Sequence, residues 1–133
     1  MTAAQAQIAD LETDLPSSVE GASAWYGSEL QNSTEWLYSL TPDEIAELDA
    51  AARPLAPAEA DIAKISKADF PLPSLGPKLD AMFDDVLNGR GFALLRGLPV
   101  ESWSTRQSAT AYYGIGAHFG VARSQNGKGH VLG

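Results

Sequence analysis

Proline sets the grain of this sequence. Pro54, Pro57, Pro71, Pro73 and Pro99 each remove a backbone donor and push the preceding residue out of the helical region, so no long helix can cross them. Regular structure is thereby confined to a few windows, and each window carries its own start signal. Thr41 precedes Pro42, Asp43 and Glu44, the pattern of a capping box with proline in the first turn and acids at the positive end of the helix dipole. Ile45, Leu48, Ala51 and Ala52 follow at helical spacing, which predicts a helix of about three turns ending near Ala52. Ser74 offers a second N-cap, and Leu75, Leu79, Met82, Phe83, Val86 and Leu87 fall on one face before Asn88-Gly89 stops the helix. A third helix opens at Ser102 or Ser104 and runs to about Phe119, although Gly114 and Gly116 each weaken it by about 1 kcal/mol relative to alanine.

Between these helices the chain reads differently. Residues 53–73 form a proline-punctuated connector with local apolar contacts around Ile62 and Ile65. Gly91 to Leu98 is short, apolar on consecutive positions and closed by Gly97 and Pro99, which suits a buried strand. Residues 121–129 form a polar, glycine-containing loop, after which His130-Val131-Leu132 reads as the start of another strand. Met1 to Gly21 has too few apolar residues for burial and is expected to be mobile, leaving residues 22–133 as one domain. Trp25, Tyr26, Trp36 and Tyr38 concentrate aromatic area in a segment of no clear period, as residues that cover a core do.

Composition narrows the function. A net charge of -8 repels nucleic acid and anionic lipid, and no apolar run approaches membrane-spanning length. The first residues hold no signal or transit pattern, so the cytoplasm is the expected location. Without cysteine there is no disulfide framework, thiolate nucleophile or thiolate metal site. The charge is also uneven: no carboxylate side chain follows Glu101, while Arg106, Arg123, Lys128, His118 and His130 all do.

Several motifs fail on inspection. In Gly114-Ile115-Gly116-Ala117-His118-Phe119-Gly120 the third glycine comes one residue too late for a dinucleotide loop, and it sits in a helix rather than between strand and helix. Gly127-Lys128-Gly129 has glycine where a phosphate loop needs serine or threonine. No serine lies in a Gly-x-Ser-x-Gly elbow. An iron facial triad needs two imidazoles and a carboxylate, yet neither His118 nor His130 is followed two positions later by an acid. His118 reads instead as a residue of a helix's last turn and His130 as a polar strand residue. Asp84-Asp85 and Glu44-Glu47 are expected on solvated helix faces.

The order of blocks nevertheless resembles a known family. Trp36 with Leu40-Thr41-Pro42-Asp43-Glu44, then Asp69-Phe70-Pro71-Leu72-Pro73, then Gly89-Arg90-Gly91-Phe92-Ala93-Leu94-Leu95-Arg96-Gly97-Leu98-Pro99, then Tyr113 to Gly120 and Ser124 to His130, is similar to the front section of taurine dioxygenase-like enzymes. The resemblance implies an α+β chain that is the N-terminal fragment of a double-stranded β-helix, or jelly roll, mainly helical with two or three strands. It implies a family that uses Fe(II) and 2-oxoglutarate to hydroxylate a small organic substrate. The family's iron ligands and 2-oxoglutarate arginine come later than Gly133, so the chain is expected to be a truncated member that binds neither cofactor alone. A complementary chain supplying the missing strands is then a candidate partner. Gln125 and Asn126 lie where the family chain nears the mouth of the site, which makes them candidates for substrate contact or for a turn. The alternative reading is a small acidic interaction module that docks a protein through Trp25 to Tyr38.

Overall fold

The computed structural model describes residues 16–57 and 61–132; residues 1–15, the larger part of the segment expected to be mobile, lie outside them. The elements are α1 (Gly27–Leu30), β1 (Leu37–Ser39), α2 (Pro42–Ala52), α3 (Leu75–Asn88), β2 (Leu94–Arg96) and α4 (Thr105–Ala117), with short 3-10 turns in the connector between α2 and α3. β1 and β2 pair in parallel, Leu37 with Leu94 and Ser39 with Arg96. The pair continues as Leu40 N–H donates to Arg96 O at 2.8 Å. Gly97 then turns the chain away at φ +108, a conformation open to glycine, with Leu40 packed against it.

The core is made where three helices and the connector meet. Leu48 and Ala52 of α2, Leu75, Leu79 and Met82 of α3, and Ala111 and Ile115 of α4 are buried at steps of three or four, and Phe70 and Leu72 enter from the connector. Phe70 is fully buried, and its ring lies against Gly114 of α4. The other half of the expected α3 stripe is not covered. Phe83, Val86 and Leu87 are exposed, and Phe83 stacks on Phe119 with ring centroids 5.4 Å apart.

Local start signals hold well. Thr41 caps α2 as a full box: Glu44 N–H donates to Thr41 Oγ1 at 3.2 Å and Thr41 N–H donates to Glu44 Oε2 at 2.8 Å. Ser104 caps α4 through Oγ, which accepts from Gln107 N–H at 3.1 Å. Ser74 is the exception. Its backbone is already in the αR region, its hydroxyl caps nothing, and the first turn of α3 is capped by Glu47 of α2. The two Glu47 oxygens each accept at 2.8 Å, one from Ser74 N–H and one from Leu75 N–H. A Glu47→Ala variant should therefore lose about 1–2 kcal/mol, as removal of a charged cap does, while Ser74→Ala should be near neutral. Urea denaturation of both variants checks this, and the reverse order would refute the assignment.

The acids of α2 are thus not the solvated face expected of them. Glu44 is buried beside Lys78, whose Nζ lies 2.7 Å from its carboxylate and also donates to Ser39 O at 3.1 Å. This one cation ties α3 to both α2 and the end of β1. Asp85 pairs with Arg90 at 2.6 Å, whereas Asp84 stays exposed and accepts from Asn88.

Two strand expectations contract. The run from Gly91 to Leu98 pairs over Leu94–Arg96 alone, since β1 offers only three register partners. His130 to Leu132 forms no strand among the described residues, where no neighbouring strand meets it. β1 itself went unread in the sequence.

A candidate ligand cavity between the last helix and its following loop

The last turns of α4 do not pack tightly against the segment downstream of them. Between α4, the connector turns around Ile65 to Lys67 and the loop after Gly120 lies an open cavity of about 760 Å³. Tyr112, Tyr113, Ile115 and Phe119 supply its apolar wall from the helix side, and Val131 and Leu132 close it from the loop. Tyr113 also anchors the helix across the floor, its hydroxyl donating to Ala63 O at 3.1 Å. Gly116 borders the cavity with open space where a side chain would begin.

The loop is held in shape by Asn126. Its Oδ1 accepts from Lys128 N–H at 3.0 Å and from His130 N–H at 3.2 Å, while its Nδ2 lies 3.0 Å from His130 Nδ1. Because Oδ1 is already committed to two backbone donors, Nδ2 is the donor to His130, and that ring nitrogen must be the acceptor. Gln125 N–H donates to His130 O at 2.6 Å and closes the turn, with Gly129 at φ +82 inside it. Of the two residues proposed for substrate contact, Gln125 borders the cavity, with Nε2 donating to Arg123 O at 3.0 Å. Asn126 organises the turn and is not among the cavity-lining side chains.

The residues that chiefly give the cavity its character were not singled out from sequence. Tyr112 and Lys67 stand in no motif, Tyr113 entered only as the start of a block of the resemblance, and Arg123 only as one of the cations after Glu101. The one available signal was the lack of carboxylate side chains in the sequence from Ser102 to Gly133.

The histidines do not fit an iron site. His118 follows the last residue of α4, and its Nε2 donates to Phe70 O at 2.7 Å, tying the helix end to the connector. His130 is engaged with Asn126, and no acid side chain lies after Glu101 to complete a triad locally. Among the described residues no group of three or more His, Cys, Asp or Glu side chains is placed to hold a metal ion. No described helix is long and apolar enough to cross a membrane. The aromatic segment is partly internal: Trp25 and Trp36 flank Phe92 at 5.2 and 6.1 Å, leaving Tyr26 as its most exposed ring.

Two curated proteins are similar to this chain. FR-33289 synthase of Streptomyces rubellomurinus is 28% identical over 115 residues, which cover 86% of the chain and 34% of the relative. The taurine hydroxylase-like protein SAT17 of Stachybotrys chartarum is 27% identical over 100 residues, covering 75% of the chain and 26% of the relative. The chain thus spans about a third and about a quarter of the length of these relatives. No protein-family model matches the sequence.

Proposed function

We propose that this chain, which resembles the taurine dioxygenase-like proteins, forms the N-terminal section of an Fe(II)- and 2-oxoglutarate-dependent dioxygenase that hydroxylates a small organic molecule. The observation that carries the reading is similarity over 115 residues, 34% of a longer relative, along a chain whose blocks resemble the family's in their order. In this reading α2, α3 and α4 buttress the outside of a jelly roll. β1 and β2, which have no further strand partner among the described residues, contribute to its larger sheet. The loop bearing Gln125 forms part of the substrate wall.

The donor set of this section does not support iron binding by it alone, because both imidazoles are engaged elsewhere and neither has a carboxylate beside it. Anaerobic addition of ferrous iron and 2-oxoglutarate to the chain should produce no metal-to-ligand charge-transfer absorption. A chimera in which this section replaces the matching 115 residues of the Streptomyces relative tests the other half of the reading. It should release succinate in step with oxygen uptake; a folded but inert chimera beside an active parent would overturn the assignment, as would a charge-transfer band from the chain alone.

A further inference from the structure

The sequence holds the pair Asn-Gly twice, at Asn88-Gly89 and at Asn126-Gly127. In such a pair the glycine nitrogen, with no side chain to crowd it, can close on the asparagine side-chain carbonyl, and the outcome depends on how the fold treats the atoms that take part. Both asparagines are exposed, so access of water does not separate them. Their hydrogen bonds do. Asn88 is the last residue of α3, and the Gly89 N–H that would have to attack is spent on Asp85 O at 3.1 Å. Its Nδ2 donates to Asp84 Oδ1 at 2.7 Å, beside acids that oppose the negative charge an attacking amide develops.

At Asn126 each part of the same reaction is arranged the other way. Gly127 N–H makes no hydrogen bond among the described residues, and nothing lies within 4 Å of the position a side chain there would take. Asn126 O accepts from Ser124 Oγ and from Gly129 N–H, both at 3.1 Å, which stabilises the charge this oxygen receives when the Gly127 nitrogen gives up its proton. Oδ1 accepts from the N–H groups of Lys128 and His130, two donors aimed at the atom that becomes an oxyanion during attack. The bond to Lys128 also folds the side chain back over the Gly127 peptide. Nδ2, the group that leaves, lies 3.0 Å from His130 Nδ1.

We propose that Asn126 is a site of self-modification, converted to aspartate and isoaspartate by the backbone of the residue that follows it. The Gly127 nitrogen forms a bond to Asn126 Cγ and the Cγ–Nδ2 bond breaks. The proton lost from the glycine amide leaves with Nδ2 as ammonia, relayed by His130. Water then opens the five-membered imide, giving aspartate where the new N–Cγ bond breaks and isoaspartate where the original peptide bond does. Nothing is oxidised or reduced. The product puts a carboxylate into the stretch from Ser102 to Gly133, which has none. In the aspartate form an oxygen takes the place of the Nδ2 donor, so its contact with His130 Nδ1 is lost unless a proton lies between them. The inference is independent of the dioxygenase reading.

The test keeps the full chain at neutral pH and physiological temperature, samples it over days, and reads the exchange of amide for acid by mass in the tryptic peptides 124–128 and 79–90. Asn126 should convert at least about tenfold faster than Asn88 in the folded chain. The two rates should converge in guanidinium chloride, where only the shared Asn-Gly chemistry remains. Ser124→Ala and His130→Gln should each slow Asn126 by about threefold or more and leave Asn88 unchanged. Ser124→Ala removes one donor to Asn126 O and keeps every bond of the Asn126 side chain, so it reads the chemistry even where His130→Gln loosens the turn. Equal rates at the two asparagines in the folded chain, slower conversion of Asn126 folded than unfolded, or unchanged rates in both variants would each overturn the proposal. None of these outcomes bears on the chimera, so failure here is distinguishable from failure of the family reading.

Discussion

Replacing Gly114 by alanine is expected to destabilise the protein by about 1–3 kcal/mol, although alanine is the better helix former. A side-chain carbon at Gly114 would sit 2.4 to 2.5 Å from three atoms of the Phe70 ring, closer than real contacts allow. That ring is fully buried among the core side chains of three helices, and its own backbone oxygen is held by His118, so it has little room to retreat. The gain in helix propensity is about 1 kcal/mol and is outweighed by the overlap. Gly116, two residues on, is the internal control. Nothing lies within 4 Å of the position its side chain would take, so Gly116→Ala should raise stability by up to about 1 kcal/mol. Urea denaturation of the two variants reads the difference. A Gly114→Ala protein as stable as the parent would show that Phe70 is not packed against this helix. Pairing Gly114→Ala with Phe70→Leu should recover part of the loss, since the clash is specific to the ring.

The second large effect is expected at Lys78. Its ammonium is the only cation at the buried Glu44 carboxylate among the described residues, and Lys78→Met would leave that charge with Thr41 alone. A loss of about 1–3 kcal/mol is expected, the range for stranding a largely buried charged partner. The wild-type protein should show a matching pH signature. Burial is the largest single influence on Glu44 and opposes ionisation. It is outweighed by the Lys78 hydrogen bond, the Thr41 backbone donor, the Lys78 charge and the Thr41 hydroxyl together, so the carboxyl is held below its ordinary range. Asp69 is likewise lowered, by the backbone and hydroxyl of Ser66. A carboxyl whose folded-state value is depressed adds stability above its unfolded value and gives it up as pH falls through the folded one. Stability should therefore fall on acidification below about pH 4, and Lys78→Met should flatten the part due to Glu44. An unchanged acid limb in the variant would remove Lys78 from the account.

The features legible in the sequence were local. The capping box at Thr41 to Glu44 appears as read, and of the two serines offered for the last helix Ser104 is the cap. α2 ends at Ala52 as expected but not for the expected reason, since Arg53 before Pro54 stays in the αR region and the chain runs on as a 3-10 turn over Arg53–Leu55. The hidden features were relational. β1 exists because Leu37 to Ser39 meets Leu94 to Arg96, a partner no local pattern announces. Ser74 marked the start of α3 correctly, but the cap comes from Glu47 on another helix. Gly114 and Gly116 look alike in the sequence and differ only in what stands opposite them. The cavity is of the same kind: Gln125 could be nominated from its loop, whereas Lys67 joins it from a connector more than fifty residues earlier.

The parallel seam between Leu37 and Leu94 encloses both α2 and α3, so pairing those strands closes a long loop of chain through hydrogen bonds. Closure entropy grows only logarithmically, each doubling of loop length costing about 0.6 kcal/mol. Residues added between the two enclosed helices would therefore burden the seam very little. Shortening either three-residue strand removes a large share of the contacts that repay closure at all. Tolerance to insertion and intolerance to trimming are set by the same arrangement.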